Sequence, residues 1–401
     1  MKYAVVVGDG MADYKLEALE GKTPLETARI PNMNRLAREG AGGRLKTIPA
    51  GLSPSSDVAN LSLLGYNPAR FYTGRGPLEA VSLRVKLEED EIAFRCNLVT
   101  ASEGRLVDYS AGHISNDEGR ILIGLLEEKL GGGGIKFYPG VGYRHLLVVK
   151  EDLLGEGKGG LQTIPPHDIT GSEFQPYLPR GRGSQFLNDL IQKSTHILAR
   201  QEINSIRIDL GENPANMIWP WGEGKALRLP SFEEKYHLRG SLISAVDLLK
   251  GIALAGGLKV IEVPGATGYF DTDYGAKGRA ALEALRESDF VYVHVEAPDE
   301  AGHLGRVMEK IKAIEAIDEK IVGPLLEAAS EFKELRVAVL PDHATPIAVK
   351  THTDDPVPFA IWGTGIEADR MESYSESAVK KGRFRQREGH KFLPLFFRPI
   401  P

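Results

Sequence analysis

The chain has 401 residues, 42% hydrophobic and 26% charged, which is the composition of a globular enzyme and a length at which two domains are expected. Its net charge of −6, without long runs of Lys or Arg, argues against a nucleic-acid partner. The single cysteine, Cys96, excludes an intrachain disulfide. Because the sequence also has neither a signal-peptide pattern nor an apolar run long enough to span a membrane, we predict a cytoplasmic protein without a membrane partner.

Taken in chain order, segment 1–62 reads as a strand over 3–7, a loop, a helix, a strand-like stretch and a helix over 57–64. Segment 239–401 alternates helices with strands. The helices are predicted over 242–255, 275–286 and 310–330, and the strands over 258–263, 290–295, 335–340 and 358–362. Strands separated by helices of this length predict a mostly parallel α/β sheet with right-handed crossovers.

The middle of the chain has a different pattern of predicted elements. Short strands are predicted over 81–87, 92–98, 104–108 and 135–150, joined by turns, with a helix over 118–130. The turns that carry the acidic and histidine residues discussed below lie on both flanks of this segment. We therefore interpret the segment as a domain inserted into the sheet domain. We therefore predict a discontinuous domain of residues 1–62 plus 239–401, and a smaller inserted α+β domain of residues 63–238 that binds substrate.

Acidic and histidine side chains follow three of the predicted buried strands. Asp9 comes after the first strand, Asp299 and His303 after strand 290–295, and Asp342-His343 after strand 335–340. Residues past the carboxyl ends of parallel strands converge on one crevice. Carboxylates and imidazoles without cysteine are typical ligands of divalent metal ions.

A further histidine, His352, precedes strand 358–362, which we interpret as an edge strand because it contains Pro358. Taken alone, each turn could carry its acidic and histidine residues for structural reasons. Only the combination of the turns argues for a metal site. Two ligand sets follow: Asp299, His303 and His352 around one ion, and Asp9, Asp342 and His343 around the other. Two ions about 4 Å apart stabilise the attacking and leaving oxygens of a group transfer, and this donor set suits Mn²⁺ or Zn²⁺.

A nucleophile is offered by the serine-rich segment 51–60, which opens a predicted helix. A serine there feels the positive end of the helix dipole, although local pattern alone favours an ordinary helix cap. In the middle segment, Arg75 and Arg144 could clamp a phosphate or carboxylate, and a solvated salt bridge is an equally good interpretation of either. Polar turns at 108–115 and 165–171 set His and Asp side chains next to each other.

Together these motifs resemble those of the cofactor-independent phosphoglycerate mutases of the alkaline phosphatase superfamily, in particular the shorter, archaeal-type branch. The resemblance extends over essentially the whole chain and rests on segments 8–13, 21–26, 55–61, 298–303, 342–343 and 352–359. It implies an alkaline-phosphatase-like, mostly parallel sheet sandwiched by helices. It also implies two divalent ions, with Mn²⁺ expected and Zn²⁺ or Mg²⁺ as alternatives, and no 2,3-bisphosphoglycerate.

The resemblance also assigns roles to residues. Ser56 is implied to be the phosphorylated serine and a metal ligand, and His113 to act on the substrate hydroxyl. Lys277 is a further expected phosphate contact, beside Arg75, Arg144 and Asp168, which are predicted as substrate contacts from the residue pattern alone. The implied reaction interconverts 3-phosphoglycerate and 2-phosphoglycerate through a phosphoserine.

Three other functions stay open from the sequence. Segments 94–97 and 243–247 also resemble homoserine kinase-like relatives that would use the same serine and metals, although the sequence has no Walker-type loop. A plain phosphatase or sulfatase is a second alternative, and a non-catalytic metal-binding protein in which Ser56 only caps a helix is a third. Whether the protein forms a homo-oligomer is left open.

Overall fold

The strands and helices are taken from a computed structural model that describes residues 1–155 and 160–398. The strands are, in chain order, β1 (Lys2–Gly8), β2 (Ala41–Lys46), β3 (Glu91–Ser102), β4 (Arg105–Asp108), β5 (Ile135–Val141), β6 (Arg144–Lys150), β7 (Met217–Gly224), β8 (Gly240–Ile243), β9 (Lys259–Val260), β10 (Phe290–Val295), β11 (Leu335–Leu340), β12 (Val357–Gly363) and β13 (Phe384–Glu388).

The α-helices are, in chain order, α1 (Pro24–Thr27), α2 (Pro31–Glu39), α3 (Ser56–Leu63), α4 (Pro68–Phe71), α5 (Arg75–Ser82), α6 (Asn116–Leu130), α7 (Ser184–Leu198), α8 (Glu202–Asp209), α9 (Phe232–Tyr236), α10 (Asp247–Ala255), α11 (Tyr274–Glu287), α12 (Ala297–Leu304), α13 (Val307–Ile317), α14 (Gly323–Glu327) and α15 (Phe392–Phe397). Within residues 1–155 and 160–398, no helix has both the length and the apolar character needed to cross a bilayer.

The chain forms two compact units, one made of Met1–Tyr72 with Arg228–Pro401 and one made of Thr73–Leu227. The second unit therefore interrupts the first in sequence. Segments 63–72 and 228–238, which we had assigned to the inserted domain, lie with the first unit and contain α4 and α9.

The first unit is built on a sheet with strand order β13-β2-β12-β11-β1-β10-β8-β9. Strand β1 pairs in parallel with β10 on one side and with β11 on the other, and all six residues of β10 and of β11 are buried. The prediction of an edge strand at 358–362 is wrong, because β12 pairs antiparallel with both β11 and β2. The sheet is thus mostly parallel, with one antiparallel strand inside it.

Apolar side chains on one face of this sheet form a large core. The β-branched residues of β1, β10 and β11 pack against the apolar faces of α2, α11 and α13. Burial of each such side chain stabilises the folded state by roughly 1.5–3 kcal/mol. The core therefore holds the three central strands, and their carboxyl ends, in fixed register.

The second unit is an antiparallel sheet of order β4-β3-β6-β5, with β7 also paired to β3. Helices α6 and α7 contribute Leu122, Ile123, Leu187 and Leu190 to its own core. The strand predicted over 81–87 is wrong, since residues 75–82 form α5 and the chain then turns. The predicted strands at 92–98, 104–108 and 135–150 are confirmed as β3, β4 and the hairpin β5–β6.

Two predicted helices of the first unit differ from the structure. The helix predicted over 242–255 begins with strand β8, because a short buried apolar run has no periodicity that separates strand from helix. The helix predicted over 310–330 is interrupted by a π-helical segment, Asp318–Val322. Pro324 follows that segment and cannot donate a backbone hydrogen bond, which accounts for the irregular turn.

Candidate metal centre

The loops that leave β1, β10 and β11 carry the acidic and histidine residues of the first unit. Gly8 lies opposite Val295 and Val7 lies opposite Leu340 in the sheet, so the three strands end level with one another. Asp9, Asp299 and Asp342 follow at this shared edge, and all three are buried. The site is therefore set by the register of adjacent strands rather than by closeness in sequence.

The first donor group consists of Asp9, Asp342 and His343, whose ligand atoms all lie within 4.8 Å of one another. Nε2 of His343 is 3.3 Å from Asp9 Oδ1 and 3.6 Å from Asp342 Oδ2. Burial lowers the pKa of His343 to about 4, so its ring is neutral and can offer a lone pair. This is the group that the sequence predicted for the second ion.

Asp342 is held by hydrogen bonds from several elements. Its Oδ1 accepts from the backbone N–H groups of Gly10 (3.1 Å) and His343 (2.9 Å), and its Oδ2 accepts from the Asn60 amide (2.7 Å). Asn60 in turn accepts a hydrogen bond of 2.6 Å from the Tyr292 hydroxyl. Burial opposes ionisation of Asp342, but His343, His294 and these donors outweigh burial and lower its pKa.

The second donor group consists of Asp299, His303 and His352, with His343 beside it. Nε2 of His303 lies 3.1 Å from Asp299 Oδ2, and Nε2 of His352 lies 3.4 Å from Asp299 Oδ1. The two histidine Nε2 atoms are 3.0 Å apart. The ligand atoms of Asp299, His343 and His352 also lie within 4.8 Å of one another, so His343 is common to both groups. The sequence assigned His343 to one ion only.

Second contacts orient the histidines of these groups. Nδ1 of His303 is 3.0 Å from the Lys350 carbonyl oxygen, and Nδ1 of His343 is 3.2 Å from Oγ1 of Thr345, whose hydroxyl also donates to Asp299 Oδ1. A ring that donates from Nδ1 presents a free Nε2, as histidine ligands of metals usually do. Thr345, which the sequence analysis did not identify, therefore connects the two donor groups.

Gly10 allows the loop after β1 to approach this network. Its φ of +57° is left-handed, and an added Cβ would lie 2.5 Å from both Asp299 Oδ1 and Thr345 Oγ1. Any other residue would be strained and would also collide with a predicted ligand. The Gly8-Asp9-Gly10 motif is thus explained by backbone conformation and by space.

Ser56 is the first residue of α3, and Ser55 precedes it as the N-cap residue. The Ser56 hydroxyl oxygen lies 3.0 Å from Nε2 of His343. The hydroxyl is therefore at the edge of both donor groups and at the positive end of a helix. The alternative in which Ser56 itself caps the helix does not apply, since Ser55 occupies that position.

Excess negative charge is the main electrostatic property of the site. Burial and the neighbouring carboxylates of Asp342, Asp299 and Glu296 raise the pKa of Asp9 well above its usual range. Asp9 Oδ1 has no hydrogen-bond partner among the described residues. A buried carboxylate oxygen without a donor, facing imidazole nitrogens, fits a site for a cation.

Behind Asp9 and Asp342 lies a second buried cluster that the sequence analysis missed. His294 Nε2 is 3.5 Å from Asp9 Oδ2, and His294 Nδ1 is 3.4 Å from Glu296 Oε1. Burial disfavours a charged ring, but Asp342 and Glu296 outweigh it and raise the pKa of His294 to about 9. His294 lies within a strand of apolar residues, where an isolated His suggests a structural role.

Lys277, predicted as a phosphate contact, lies in this cluster. Its side chain is fully buried, and its ammonium group lies 2.6 Å from Glu296 Oε2 and 2.9 Å from the His294 carbonyl oxygen. Burial opposes ionisation of Glu296, but His294 and Lys277 outweigh it and lower the pKa of Glu296. In this structure the Lys277 charge neutralises Glu296 rather than facing an open site.

In the second unit, the predicted residues Arg75 and Arg144 form one basic cluster with Arg95, which was not predicted. Arg75 and Arg95 lie with their guanidinium carbons 5.7 and 5.0 Å from the centre of the Trp221 ring. Burial lowers the pKa of Arg95, and although Glu79 opposes this effect, Arg75 and Arg144 lower the pKa further. Arg95 was missed because it lies within a strand, β3, among apolar residues. Two arginines over one indole, with Arg144 over the neighbouring Tyr143 ring, could hold an anion.

The remaining predicted residues of the second unit lie in turns. His113 has a left-handed φ of 52° in a loop anchored by Asp108, whose carboxylate accepts from the Ser110 hydroxyl (2.7 Å) and the Gly112 N–H (2.8 Å). Asp168 is exposed and lies 3.7 Å from Nε2 of His167, whose ring packs on Trp221. A non-glycine residue held at positive φ is uncommon and is often found at functional sites.

The sequence and the fold are similar to those of known proteins. The family model described as 2,3-bisphosphoglycerate-independent phosphoglycerate mutase matches residues 37–204. A protein of that name from Methanosarcina barkeri is 53% identical over 384 residues, covering 95% of this chain and 96% of that protein. In Methanothermobacter thermautotrophicus, the relative named 2,3-bisphosphoglycerate-independent phosphoglycerate mutase 2 is 50% identical over 400 residues, with 100% and 98% coverage.

Two solved structures have the same fold over nearly the whole chain. A Pyrococcus horikoshii protein is 29% identical with a TM-score of 0.82, covering 98% of this chain and 96% of that one. A structure titled cofactor-independent phosphoglycerate mutase, from Thermoplasma acidophilum, is 27% identical with a TM-score of 0.68 and 99% coverage of each chain.

Proposed function

The chain belongs to the 2,3-bisphosphoglycerate-independent phosphoglycerate mutases, and from that membership we propose that Ser56 carries the phosphate while the enzyme interconverts 3-phosphoglycerate and 2-phosphoglycerate. The enzyme is an isomerase that needs no 2,3-bisphosphoglycerate. The observation that carries the proposal for Ser56 is the 3.0 Å distance from its hydroxyl oxygen to Nε2 of His343, the residue that both donor groups share.

We assign the two donor groups to a pair of divalent ions. Asp9, Asp342, His343 and Ser56 would hold one ion, and Asp299, His303 and His352 the other. Mixed carboxylate and imidazole donors support Mn²⁺, with Zn²⁺ and Mg²⁺ as alternatives. When bound, such ions stabilise negative charge on phosphoryl oxygens and lower the pKa of a neighbouring hydroxyl.

The protein's own groups account for the steps of the transfer. Ser56 Oγ gives up its proton and forms a bond to the phosphorus of 3-phosphoglycerate as the bond from phosphorus to the substrate O3 breaks. O3 takes up a proton, which leaves a phosphoserine and glycerate. The 2-hydroxyl of glycerate then forms the new bond to phosphorus, and the bond to Ser56 Oγ breaks. We propose that His113 takes the proton of that 2-hydroxyl. Water must stay out between the two steps, because hydrolysis of the phosphoserine would waste the substrate.

We propose that the basic cluster of the second unit holds the substrate's carboxylate or phosphate. Arg75 and Arg144 were predicted for this role, and Arg95 joins them. Planar guanidinium groups suit both anions because they can donate two parallel hydrogen bonds. Asp168 would lie near this cluster through its contact with His167.

Phosphorylation of homoserine is the second candidate from the sequence. It would use the same serine and the same donor groups, so the geometry of the first unit does not separate the two reactions. Three of the four relatives named above carry the mutase name, which favours the mutase. We also propose that the reaction takes place in the cytoplasm, since the chain has one buried cysteine, which fits a reducing compartment.

An enolase-coupled assay tests the proposal. Protein freed of metal with EDTA would be supplied with 3-phosphoglycerate, without 2,3-bisphosphoglycerate, and with Mn²⁺, Zn²⁺ or Mg²⁺ in parallel. We expect turnover that requires a divalent ion. If protein that has bound its ions shows no turnover, the mutase proposal is wrong, and formation of phosphohomoserine from homoserine and ATP becomes the reaction to measure.

A further inference from the structure

Asn60 lies one turn after Ser56 on α3, and its side chain is fully buried. Its Nδ2 atom is 2.9 Å from the Ser56 carbonyl oxygen and 2.7 Å from Asp342 Oδ2. Its Oδ1 atom is 2.6 Å from the Tyr292 hydroxyl oxygen. These partners belong to α3, to the loop after β11 and to β10. One amide therefore joins the helix that carries the proposed nucleophile to a carboxylate of the first donor group.

The partners of the Asn60 amide determine its orientation. The Ser56 carbonyl oxygen can only accept a hydrogen bond, so the NH₂ group must face it, and the same group donates its second hydrogen to Asp342. The amide oxygen then accepts from the Tyr292 hydroxyl. Both hydrogens and the oxygen of the amide are thus matched, and the amide has one orientation that satisfies all three partners.

The two other side chains with the same branched shape cannot replace this amide. Aspartate has no hydrogen to donate to Ser56 or Asp342, and leucine has no polar atom. Asn60, Tyr292 and Asp342 are all fully buried, so water does not compete for these hydrogen bonds. Residues 56 and 60 are four apart on α3 and share one face of the helix. The spacing of Ser and Asn in segment 56–60 is therefore explained by a single set of contacts.

We propose that Asn60 is a positioning residue that holds Ser56 in a fixed place relative to Asp342, and that Tyr292 keeps the amide in the required orientation. The inference rests on the proposed function in that it takes Ser56 as the nucleophile and Asp342 as a ligand of one ion. Displacement of a reacting group by about 1 Å can cost about 100-fold in rate. Two residues that touch neither substrate nor ion would thus affect the rate of the transfer.

Steady-state kinetics of Asn60→Leu and Tyr292→Phe test this inference. Turnover of 3-phosphoglycerate would be measured at saturating Mn²⁺, so that weaker metal binding does not contribute. We expect kcat to fall about 100-fold in Asn60→Leu and about 10-fold in Tyr292→Phe, with KM within about 2-fold of wild type. The double variant should be no slower than Asn60→Leu, because both substitutions act through the same amide.

The matched control for these variants is Asn204→Leu. Asn204 is also buried, and its amide donates to the backbone carbonyl oxygens of Leu198 and Ala215 in the second unit. This variant should lower the melting temperature and leave kcat unchanged. It therefore separates loss of a buried amide in general from loss of the contacts to Ser56 and Asp342.

A spectroscopic measurement that needs no turnover reports the position of residue 56. In Ser56→Cys loaded with Co²⁺, a thiolate in contact with the ion gives a charge-transfer band in the near ultraviolet. Wild-type protein is the blank, because its single cysteine, Cys96, is buried in the second unit. We expect the band to lose most of its intensity when Asn60→Leu is added, and to be retained when Asn204→Leu is added.

An unchanged kcat in Asn60→Leu, additive losses in the double variant, or a Co²⁺ band that is absent or independent of Asn60 would each overturn the inference. Should Asn60→Leu fail to fold, Tyr292→Phe decides by the same two measurements, since it removes a single hydroxyl. The two proposals fail separately. Wild-type protein without turnover but with an Asn60-dependent band would refute the proposed function and leave the inference standing, whereas turnover without the band would do the reverse.

Discussion

The hydroxyl oxygen of Ser56 lies 3.0 Å from Nε2 of His343, the histidine that belongs to both donor groups. Replacing Ser56 by Ala removes the proposed nucleophile and leaves the donor groups otherwise intact. Turnover of 3-phosphoglycerate should fall by about 10⁴-fold or more, as for loss of other nucleophiles. Ser55→Ala is the matched control, because the Ser55 hydroxyl is 3.3 Å from the Ser53 carbonyl oxygen and should be dispensable. Activity of Ser56→Ala above 1% of wild type would contradict the assignment.

The effect of Asp9→Asn on the stability of the fold should have opposite signs in the metal-free and metal-bound states. The pKa of Asp9 is raised in the folded protein, so its charge destabilises the metal-free fold as the pH rises above 3.8. In EDTA at pH 8, the variant should therefore be more stable than wild type by about 1 kcal/mol or more. Added Mn²⁺ should raise the melting temperature of wild type only. Asp117→Asn, an exposed acid on α6, should leave both states unchanged.

Thr345→Val should weaken metal binding without removing a ligand. The substitution keeps the shape of the side chain and removes the hydroxyl that donates to Asp299 and contacts His343 Nδ1. Loss of such orienting contacts costs about 10- to 100-fold in metal affinity. Calorimetric titration with Mn²⁺ would measure the change. Equal affinities for the variant and wild type would mean that Asp299 and His343 are held in place by the backbone alone.

Lys310→Met should be strongly destabilising. The Lys310 ammonium is fully buried, 2.7 Å from Asp13 Oδ2 and 2.9 Å from the Thr345 carbonyl oxygen. Breaking such a pair leaves an uncompensated buried charge, at about 3–5 kcal/mol. Urea unfolding would measure the loss, and Lys312→Met, an exposed position on the same helix, would control for the altered composition. The double variant Asp13→Asn with Lys310→Met should recover part of the loss, and full additivity would disprove the coupling.

Glu376 should make stability fall between pH 4.5 and about 7. Burial raises the pKa of Glu376 from 4.5 to about 7 in the folded protein. The folded state therefore binds more protons than the unfolded state in this window, so stability decreases as the pH rises through it, by up to about 3 kcal/mol. Glu376→Gln should flatten this dependence. A variant whose unfolding free energy retains the wild-type slope against pH would show that another group is responsible.

The fold could be predicted from the sequence where strands alternate with long helices. The buried strands β10 and β11 were located correctly because their runs are apolar and β-branched. The last two residues of β8, Leu242 and Ile243, fall in a predicted helix because a four-residue strand carries no usable periodicity. The position of β12 inside the sheet was missed because sequence pattern gives no information on which strands pair.

The site residues that the sequence predicts and those that it misses differ in where they lie. Asp9, Asp299 and Asp342 lie just after strands, where polar residues stand out against an apolar run. His294, Arg95 and Thr345 lie within a strand or in a loop without a motif of their own, and their neighbours belong to distant segments. Arg95, for example, faces Trp221 more than a hundred positions later. Such residues are found only once the pairing of strands is known.

The placement of β1 between β10 and β11 has a consequence for the newly made chain. Asp9 leaves the ribosome first, but its partners Asp342 and His343 follow only near the end of translation, at 5–20 residues per second about tens of seconds later. A chain that ends before β10 therefore lacks both neighbours of its first strand and cannot assemble the proposed metal centre beside Ser56. Truncated products of this gene should be catalytically silent.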